Sequence, residues 1–430
     1  MTAERQLAVN GGERVRSTPL PVRSLFGFEE RDAVMRLFDE AIEHGSQVLG
    51  YNGPQEAAYC REFAEQLGGG FADGVNSGTN AVYVALRALE LEPYGEVIVP
   101  PISDPGGIMP VALCNLIPVP ADAAPGSFNT SAEQIAQRIT PRTRAILVAH
   151  IGGIPVDMDP VMDLAARHHL PVIEDCAQSH GAKYRGRMLG SIGTIAAFST
   201  MLGKHHSTGG QGGVVFTRDE ALSWKVKRHA DRGKPFGEMA TSAADASASI
   251  PASEGGNLVA ALNCNMDELH ACVGRVQLRK LPAFVQRRRA IAQRIEKGCE
   301  TLRGVTMLGD PPGCEGSYWF ILFRFDAGAF TVSKRAFIGA LTAEGLPFEL
   351  TYRYVPTRQP WAVAQRAFGD GRTGLPWSAV ESPCPAPPLP NTDAADASLF
   401  RISIHEGWGE QEAADVIAAL EKIERVYLKP

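Results

Sequence analysis

The chain has 430 residues, of which 44% are hydrophobic and 21% are charged, and its net charge is −6. This composition indicates a globular protein of roughly two or three domains, since a domain averages about 150 residues. It has no basic run to follow a nucleic-acid backbone, no stretch of about 18 apolar residues to span a membrane and no apolar signal core at the N-terminus, so we expect a cytoplasmic protein that binds neither nucleic acid nor membranes.

The first 230 residues predict an arm followed by an α/β domain. Residues 1–25 are polar and rich in Arg, Gly and Pro, which indicates a loose N-terminal arm. Apolar residues recur at helical spacing over 29–48 and 55–67. From about residue 70 to 230, short apolar strands alternate with helices, which is the pattern of a doubly wound sheet with helices on both faces. The predicted strands are Glu96–Pro100, Ile117–Val119, Ala145–His150, Val172–Glu174, Ile195–Ser199 and Gly213–Thr217, and the predicted helices are Ala81–Leu89, Pro160–Arg167 and Ala221–His229.

The second half of the chain predicts a loop and then a smaller domain. Residues 237–262 are mostly small and weakly periodic, which indicates a mobile loop. Met266–Leu281 and Pro282–Leu302 have the spacing of two amphipathic helices. The elements predicted after them are a strand at 318–325, a helix at Lys334–Glu344, a strand at 399–404 and a closing helix at Gln411–Tyr427. We therefore predict a large domain over residues 26–280 and a C-terminal α+β domain over 281–430.

A Ser-Gly-Thr turn opens a helix of the large domain, in the sequence NSGTN (76–80). Its hydroxyl and backbone N–H groups converge at a helix N-terminus, where the helix dipole favours an anion. Ser77, Gly78 and Thr79 therefore form a candidate phosphate cup. An ordinary helix N-cap gives the same pattern, so this segment alone does not separate the two interpretations.

A predicted buried strand runs into Glu174 and Asp175, within the sequence LPVIEDCAQSHGA (170–182). Carboxylates at the carboxyl end of a parallel strand lie where such sheets bind ligands. Asp175 could there hold a pyridinium nitrogen protonated, which makes the ring an electron sink. The alternative is that Asp175 caps the turn that follows the strand.

Lys204 follows a predicted strand and precedes a glycine-rich run, in the sequence AFSTMLGKHHSTGGQGG (197–213). A lysine among small residues can approach a planar cofactor closely. If the amine is partly desolvated, its pKa falls and the neutral form becomes a nucleophile. Most lysines are solvated surface charges, so the function of Lys204 depends on its context.

The order and wording of these segments resemble the DegT/DnrJ/EryC1/StrS family of sugar aminotransferases. The matching stretches are NSGTNA (76–81), VIEDCAQSHGA (172–182), YRGRMLGSIG (184–193), FSTMLGK (198–204) and GGQGG (209–213). A weaker likeness extends from about residue 45 to 425 and includes Leu262–Met266. The resemblance implies the fold-type-I architecture of enzymes that use pyridoxal 5'-phosphate (PLP), with a large, mixed, mostly parallel sheet domain and a smaller α+β C-terminal domain.

The resemblance also implies a role for each matched residue. Lys204 would bind PLP as a Schiff base and move a proton between substrate and cofactor, and Asp175 would pair with the pyridine nitrogen. Gln178 would contact the ring hydroxyl or its surroundings. Asn263 matches an asparagine that reaches the phosphate of the neighbouring subunit, which implies a homodimer with shared active sites. The residues implied to hold the phosphate within one subunit are Ser77, Gly78, Thr79 and Ser199.

Three positions depart from the family pattern. Asp104 stands in the loop PPISDPGG (100–107), where the family has an aromatic residue stacked on PLP. Asp-Pro-Gly predicts a tight turn, which is compatible with a widened pocket above the ring. Asn265 replaces a family arginine. His205 and His206 follow Lys204, where the family more often has Asn-Leu or an apolar pair, and we interpret them as loop histidines.

We expect an aminotransferase that moves an amino group from glutamate or glutamine to a keto-sugar or keto-cyclitol, in amino-sugar, aminoglycoside or related secondary-metabolite biosynthesis. One alternative is a PLP-dependent sugar dehydratase of the same family, which typically has histidine in place of the lysine and would use His205 if the register slipped by one residue. The others are a PLP-binding sensor without activity and a Rossmann-type protein, although a strand–GxGxxG–helix unit is missing near the start.

Eight scattered cysteines without a CxxC pair indicate reduced thiols, and we predict no metal site.

Overall fold

The computed structural model describes residues 6–236, 256–352, 354–369, 371–381 and 387–430. Over these residues the strands are β1 (Phe71–Val75), β2 (Glu96–Val99), β3 (Ile117–Pro120), β4 (Thr143–Ala149), β5 (Val172–Asp175), β6 (Lys183–Tyr184), β7 (Arg187–Met188), β8 (Ile195–Ser199), β9 (Gly213–Thr217), β10 (Val305–Met307), β11 (Cys314–Glu315), β12 (Phe320–Phe325), β13 (Phe348–Glu349) and β14 (Leu399–Ser403). The helices are α1 (Phe28–His44), α2 (Pro54–Gln66), α3 (Gly78–Ala88), α4 (Met109–Leu113), α5 (Ala132–Ala136), α6 (Met158–Arg167), α7 (Glu220–Ala230), α8 (Glu268–Cys299), α9 (Lys334–Ala343), α10 (Pro360–Val363), α11 (Pro390–Ser398) and α12 (Glu410–Tyr427). The predicted loop at 237–262 lies outside the described residues over 237–255.

A seven-stranded sheet forms the centre of the larger part of the fold, with the strand order β1-β9-β8-β5-β4-β2-β3. Strand β9 runs antiparallel to both β1 and β8, and the other neighbouring pairs are parallel. Side chains from alternate positions of its strands enter two separate cores. Helices α2, α6 and α8 pack into one core, and α3 and α7 pack into the other. The predicted doubly wound sheet is therefore confirmed, and burial on both faces explains why its strands are apolar along nearly their whole length.

The C-terminal part has its own antiparallel sheet, with the order β10-β12-β14-β13. Helices α9 and α12 pack against it around a core that contains Phe323, Phe337 and Leu420. Strand β11 instead pairs with β6 of the hairpin β6–β7, so the two parts of the fold share a small three-stranded sheet. The predicted α+β character of this region is confirmed.

The two helices predicted on either side of Pro282 are wrong, because residues 268–299 form the single helix α8. Proline has no N–H, so Leu278 O cannot receive its usual bond from the residue four positions later. Gln66 Nε2 of α2 donates to Leu278 O at 2.8 Å instead. This replacement bond removes the main polar cost of proline inside the helix. The predicted domain boundary at residue 280 falls within α8, and the division into domains stays a prediction.

The N-terminal arm is not loose over its described residues 6–25, which corrects the expectation. Leu7 is fully buried in the C-terminal core, and Arg16 Nη1 donates to Asp415 Oδ2 at 2.6 Å. The polar composition that suggested a free arm instead supplies ion pairs that fasten it.

No helix among the described residues is long and apolar enough to cross a membrane.

Candidate active site

The predicted site residues gather at one edge of the main sheet. Strands β1, β5 and β8 run parallel, and Ser77, Asp175 and Ser199 stand at or just beyond their carboxyl ends. Lys204 lies in the loop after β8, and only 5% of its surface is exposed. This edge is where open α/β sheets bind ligands.

The turn before α3 closely approaches the end of β8. Ser77 Oγ accepts a hydrogen bond from Asn80 N at 3.1 Å and so caps α3, which confirms the N-cap. A Cβ added to Gly78 would lie 2.5 Å from Ser199 Cβ, so only glycine permits this approach. The N–H groups of Gly78 and Thr79 belong to the first turn of α3, where a helix has no internal acceptors for them. The result is a corner of hydroxyl and N–H groups suited to an anion.

The loop that carries Asp104 is a tight turn, as its sequence predicted. Asp104 Oδ1 accepts a hydrogen bond from Gly106 N at 2.9 Å. A Cβ on Gly106 would collide with Thr79 Oγ1, and a Cβ on Gly107 would lie 2.6 Å from Asp175 Oδ2. The glycines therefore bring backbone against both Thr79 and Asp175, while the Asp104 side chain stays exposed. Whether this turn widens the pocket stays a prediction.

The adjacent carboxylates at the end of β5 have different partners. Glu174 is fully buried and accepts hydrogen bonds from His150 Nε2 at 3.2 Å and from backbone N–H groups of the turn at 190–193. Burial alone would raise the pKa of Glu174, but these hydrogen bonds and the charge of His150 outweigh it and lower the pKa. Glu174 therefore holds the hairpin turn in place, and Asp175 is the carboxylate that remains for a ligand.

Asp175 is buried, and only one of its carboxylate oxygens has a hydrogen-bond partner among the described residues. Its Oδ1 accepts a hydrogen bond from Ala177 N at 3.0 Å, so the turn-cap interpretation is confirmed for one oxygen. Burial raises the pKa of Asp175, and the Ala177 N–H and the charge of Lys204 oppose that rise. Ser103 Oγ, also near Gly107, is buried without a hydrogen-bond partner among the described residues. A polar ligand at this position would therefore find an open carboxylate oxygen and an unused hydroxyl group.

Lys204 is held by its backbone, and its amine has no hydrogen-bond partner among the described residues. Arg23 Nη2 donates to Lys204 O at 2.7 Å, and Lys204 N donates to Met201 O at 2.9 Å. Its Nζ lies 3.8 Å from the ring centroid of Trp319. Burial lowers the pKa of Lys204, and the charges of Asp175 and Asp104 oppose the fall. The arrangement favours a neutral, nucleophilic amine more than a surface lysine would.

The two histidines after Lys204 are held in the protein interior. His205 Nε2 lies 3.0 Å from Ser317 O, and His206 Nε2 lies 2.7 Å from Tyr59 Oη. Both rings are fully buried, and burial lowers the pKa of each well below its ordinary value. Their positions support the interpretation as loop histidines. They also leave Lys204, and not His205, as the side chain beside Asp175.

Gln178 and Asn263 take different environments. Gln178 is buried, accepts from Gly152 N at 2.8 Å and donates to Tyr352 Oη at 2.9 Å. Its contact with the ring hydroxyl stays a prediction. Asn263 is exposed, and its Oδ1 accepts from Asn265 Nδ2 at 2.8 Å. Its predicted reach into a neighbouring subunit also stays a prediction.

Comparison with known proteins agrees with this geometry. The model of the DegT/DnrJ/EryC1/StrS aminotransferase family matches residues 30–421. The chain belongs to this aminotransferase family. It is 30% identical to an L-glutamine:2-deoxy-scyllo-inosose aminotransferase of Micromonospora echinospora, over 97% of each chain. It is 34% identical to a dTDP-3-amino-3,4,6-trideoxy-alpha-D-glucose transaminase of Streptomyces venezuelae, over 61% of this chain and 64% of that protein. The chain is also similar to the solved structure of an aminotransferase from Psychrobacter cryohalolentis, with 28% identity and a TM-score of 0.78. The match covers 94% of this chain and 98% of that chain.

The protein is a PLP-dependent aminotransferase with a fold-type-I architecture. Its site fits that cofactor. The corner at Ser77–Thr79 suits a phosphate, and the open oxygen of Asp175 suits a protonated ring nitrogen. The buried amine of Lys204 suits an aldehyde, and Gly106 and Gly107 place no side chain between their loop and Thr79 or Asp175.

Sequence reasoning missed three residues that complete the site of this aminotransferase. Trp319 lies over the Lys204 amine, Tyr352 holds Gln178, and Arg23 holds the Lys204 carbonyl. Each comes from a distant part of the chain, so no local motif joins it to Lys204. Trp319 directly precedes β12 and brings this end of the C-terminal sheet against the Lys204 amine.

Proposed function

We propose that this aminotransferase moves the amino group of glutamine or glutamate to the ketone of a keto-sugar or keto-cyclitol, in amino-sugar, aminoglycoside or related secondary-metabolite biosynthesis. The named activities of its relatives support this acceptor class, and one of them names glutamine as the donor. The observation that carries the proposal is the buried pair of Lys204 and Asp175 at the carboxyl edge of the sheet.

Lys204 and Asp175 would divide the proton chemistry. PLP, when bound, supplies a carbonyl that carries the amino group and a ring that withdraws electrons from the reacting carbon. Asp175 would hold a proton on the ring nitrogen, because its side chain is buried at the sheet edge and only its Oδ1 has a hydrogen-bond partner among the described residues. The Lys204 amine, with its lowered pKa, would accept a proton from the donor carbon and return one to the acceptor side.

The other site residues would position these groups. Ser77, Gly78, Thr79 and Ser199 would hold the phosphate through hydroxyl and N–H groups. The helix dipole of α3 would favour the same anion.

A cavity beside Lys204 would bind the acceptor. Its volume is about 430 Å³, within the usual range for small-molecule sites. It is lined by Asp104, Gly203 and Trp319 from the side of Lys204, and by Tyr352, Arg401 and Ser403 from the C-terminal part. Polar groups on an aromatic wall suit a ring that carries several hydroxyl groups.

The active site would be shared between two copies of the chain. Asn263 is exposed beside the backbone that precedes Ser77, since Asn76 N donates to Cys264 O at 2.9 Å. A homodimer would let Asn263 of one subunit reach the phosphate held by the other.

The cysteines among the described residues are free thiols, which supports a reducing compartment such as the cytoplasm.

The absorbance of the purified protein with PLP tests the proposal. Glutamine or glutamate should bleach the visible band as the cofactor takes the amino group, and a keto-sugar or keto-cyclitol should restore it. Mass spectrometry should then find the aminated acceptor. A protein that keeps its visible band with both donors, or that passes the amino group to none of the ketones, contradicts the proposal.

A further inference from the structure

The proposed acceptor cavity is lined by four charged side chains, and three of them are arginines that already have a carboxylate partner. Arg23 and Arg288 each lie 2.8 Å from the carboxylate of Glu406. Both also donate to backbone carbonyl groups. Arg401 forms an ion pair with Glu349. The positive charges of the cavity wall therefore have counterions within the protein.

Asp104 is the fourth charged side chain, and it differs from the arginines. Its Oδ1 accepts a hydrogen bond from Gly106 N at 2.9 Å, while its Oδ2 has no hydrogen-bond partner among the described residues. No cationic nitrogen of those residues lies within ion-pair distance of the carboxylate. The side chain is exposed at the cavity wall. Asp104 therefore presents an unpaired negative charge to whatever enters the cavity.

The charge of Asp104 acts on groups on two sides of the cavity. Burial raises the pKa of the Tyr352 hydroxyl, and the charge of Asp104 adds to that rise. Burial lowers the pKa of the Lys204 amine, and the charges of Asp175 and Asp104 oppose that fall. The Asp104 carboxylate is therefore close enough to the reacting amine and to the opposite wall to interact with a substrate held between them.

Two aromatic rings line the same cavity. The ring centroids of Trp319 and Tyr352 lie 6.4 Å apart, with the rings edge to face. The face of an aromatic ring attracts a cation, and Trp319 already has the Lys204 amine 3.8 Å from its ring centroid. An ammonium group beside Asp104 would thus find an opposite charge and electron-rich rings together.

We propose that the ketone acceptor carries an ammonium group and that Asp104 binds it, so that the enzyme aminates a sugar or cyclitol ring that already has one amino group. The inference rests on the proposed function and narrows its acceptor class. A bound ring would cover the open oxygen of Asp104, and a buried charge without a partner is costly. A hydroxyl group of the ring can donate a hydrogen bond to this oxygen, but an ammonium group also supplies the opposite charge.

The half-reaction with the ketone tests this role. The enzyme with PLP would first be bleached with glutamine, freed of excess donor and then mixed with a ketone that restores the visible band. The probes are 2-keto-myo-inositol, 3-keto-glucose and analogues of each in which one hydroxyl group is replaced by an ammonium group. For at least one ammonium analogue, the wild type should reach half-maximal recovery at a concentration about tenfold lower than for the parent ketone. Raising the salt concentration to about 0.5 M should reduce this preference, because salt screens an exposed charge.

Two aspartate variants separate the charge of Asp104 from its place in the turn. Asp104→Asn keeps an Oδ1 that can accept from Gly106 N and removes the charge. It should bring the half-maximal concentrations of the two ketones within about twofold of each other, by raising that of the ammonium ketone. Asp326→Asn is the matched control, because Asp326 is also exposed and its Oδ1 accepts from Gly328 N at 2.8 Å, but it does not line the cavity. This control should keep the preference of the wild type.

The outcomes separate this inference from the proposed function. A wild type that prefers none of the ammonium ketones, or an Asp104→Asn protein that keeps the preference, would overturn the inference alone. Equal losses with both ketones would mean that Asp104 acts through its turn or through the Lys204 amine, and would overturn it as well. A wild-type enzyme that neither glutamine nor glutamate bleaches, or that no ketone restores, would overturn the proposed function and this inference together.

Discussion

Glu406 links the N-terminal arm, α8 and the Lys204 loop, and its removal should destabilise the protein strongly. Arg23 Nε donates to Glu406 Oε1 at 2.8 Å, and Arg288 Nε donates to Oε2 at 3.0 Å. The Arg288 and Glu406 side chains are 1% and 4% exposed. Glu406→Gln would keep the shape of the side chain and leave the Arg288 charge buried without a counterion.

The expected loss in free energy of unfolding is about 3 kcal/mol. Breaking a buried ion pair by removing one partner costs roughly 3–5 kcal/mol, and the lower figure applies because the Gln amide oxygen can still accept a hydrogen bond. The pH dependence gives a second measure. Burial alone would raise the pKa of Glu406, but the charges of Arg288 and Arg23 outweigh it and lower the pKa. A lowered folded-state pKa contributes stability that is complete above the unfolded pKa and is lost as pH falls through the folded pKa, so the advantage of the wild type should begin to shrink below about pH 4.

Urea unfolding of the two proteins, followed by tryptophan fluorescence, measures the difference. Glu410→Gln is the matched control, because its ion pair with Arg294 is exposed, with side chains 82% and 50% accessible. That pair should contribute less than about 1 kcal/mol. If Glu406→Gln costs no more stability than Glu410→Gln, or if its cost is the same at pH 3 and pH 7, the Glu406 carboxylate does not stabilise the fold as the counterion of Arg288.

Three further predictions concern the cofactor site. Asp175→Asn should lower turnover about 100- to 1,000-fold while PLP occupancy changes little, and near-normal turnover would remove Asp175 from the mechanism. Gly78→Ala should raise the Kd for PLP at least about tenfold, because the new Cβ would lie 2.5 Å from the Ser199 side chain. The control Gly339→Ala has open space at its Cβ and should leave the Kd unchanged. Equal affinities of the two variants for PLP would contradict the close approach of Gly78 to Ser199. Mixed subunits of Lys204→Ala and Asn263→Ala should regain activity after exchange, since one class of site would pair intact Lys204 with intact Asn263, and activity no greater than the sum of the separate variants would contradict a shared site.

Local patterns predicted most of the main sheet. The runs at Glu96–Val99 and Ile195–Ser199 are apolar because both sheet faces are covered, and each was placed within about a residue. Strand β1 was missed because its sequence, FADGV, combines an aspartate and a glycine that disfavour strands. Its place beside β9 comes from tertiary pairing. Pro282 was interpreted as a helix boundary because no local signal marks the hydrogen bond that replaces its missing N–H. That bond to Leu278 O comes from Gln66, more than 200 positions away in the chain.

The candidate site likewise combines residues that local motifs predict with residues that only the tertiary structure brings to it. Ser77, Asp175 and Lys204 stand in local motifs that are legible in the sequence, and the structure places each at or beyond the carboxyl end of a strand at one sheet edge. Trp319 and Arg401 reach the cavity from the C-terminal sheet, and no local signal marks them. Such contacts depend on how the two parts of the fold pack, which periodicity does not encode.

Chemical trapping with borohydride identifies the lysine that binds PLP. The purified protein with PLP would be reduced with borohydride, digested and mapped by mass spectrometry, in parallel with Lys204→Ala. We expect the pyridoxyl mass on the peptide that contains Lys204, and a folded Lys204→Ala protein without visible absorbance or trapped cofactor. A pyridoxyl group on any other lysine, or equal trapping in Lys204→Ala, would show that Lys204 is not the residue that binds PLP.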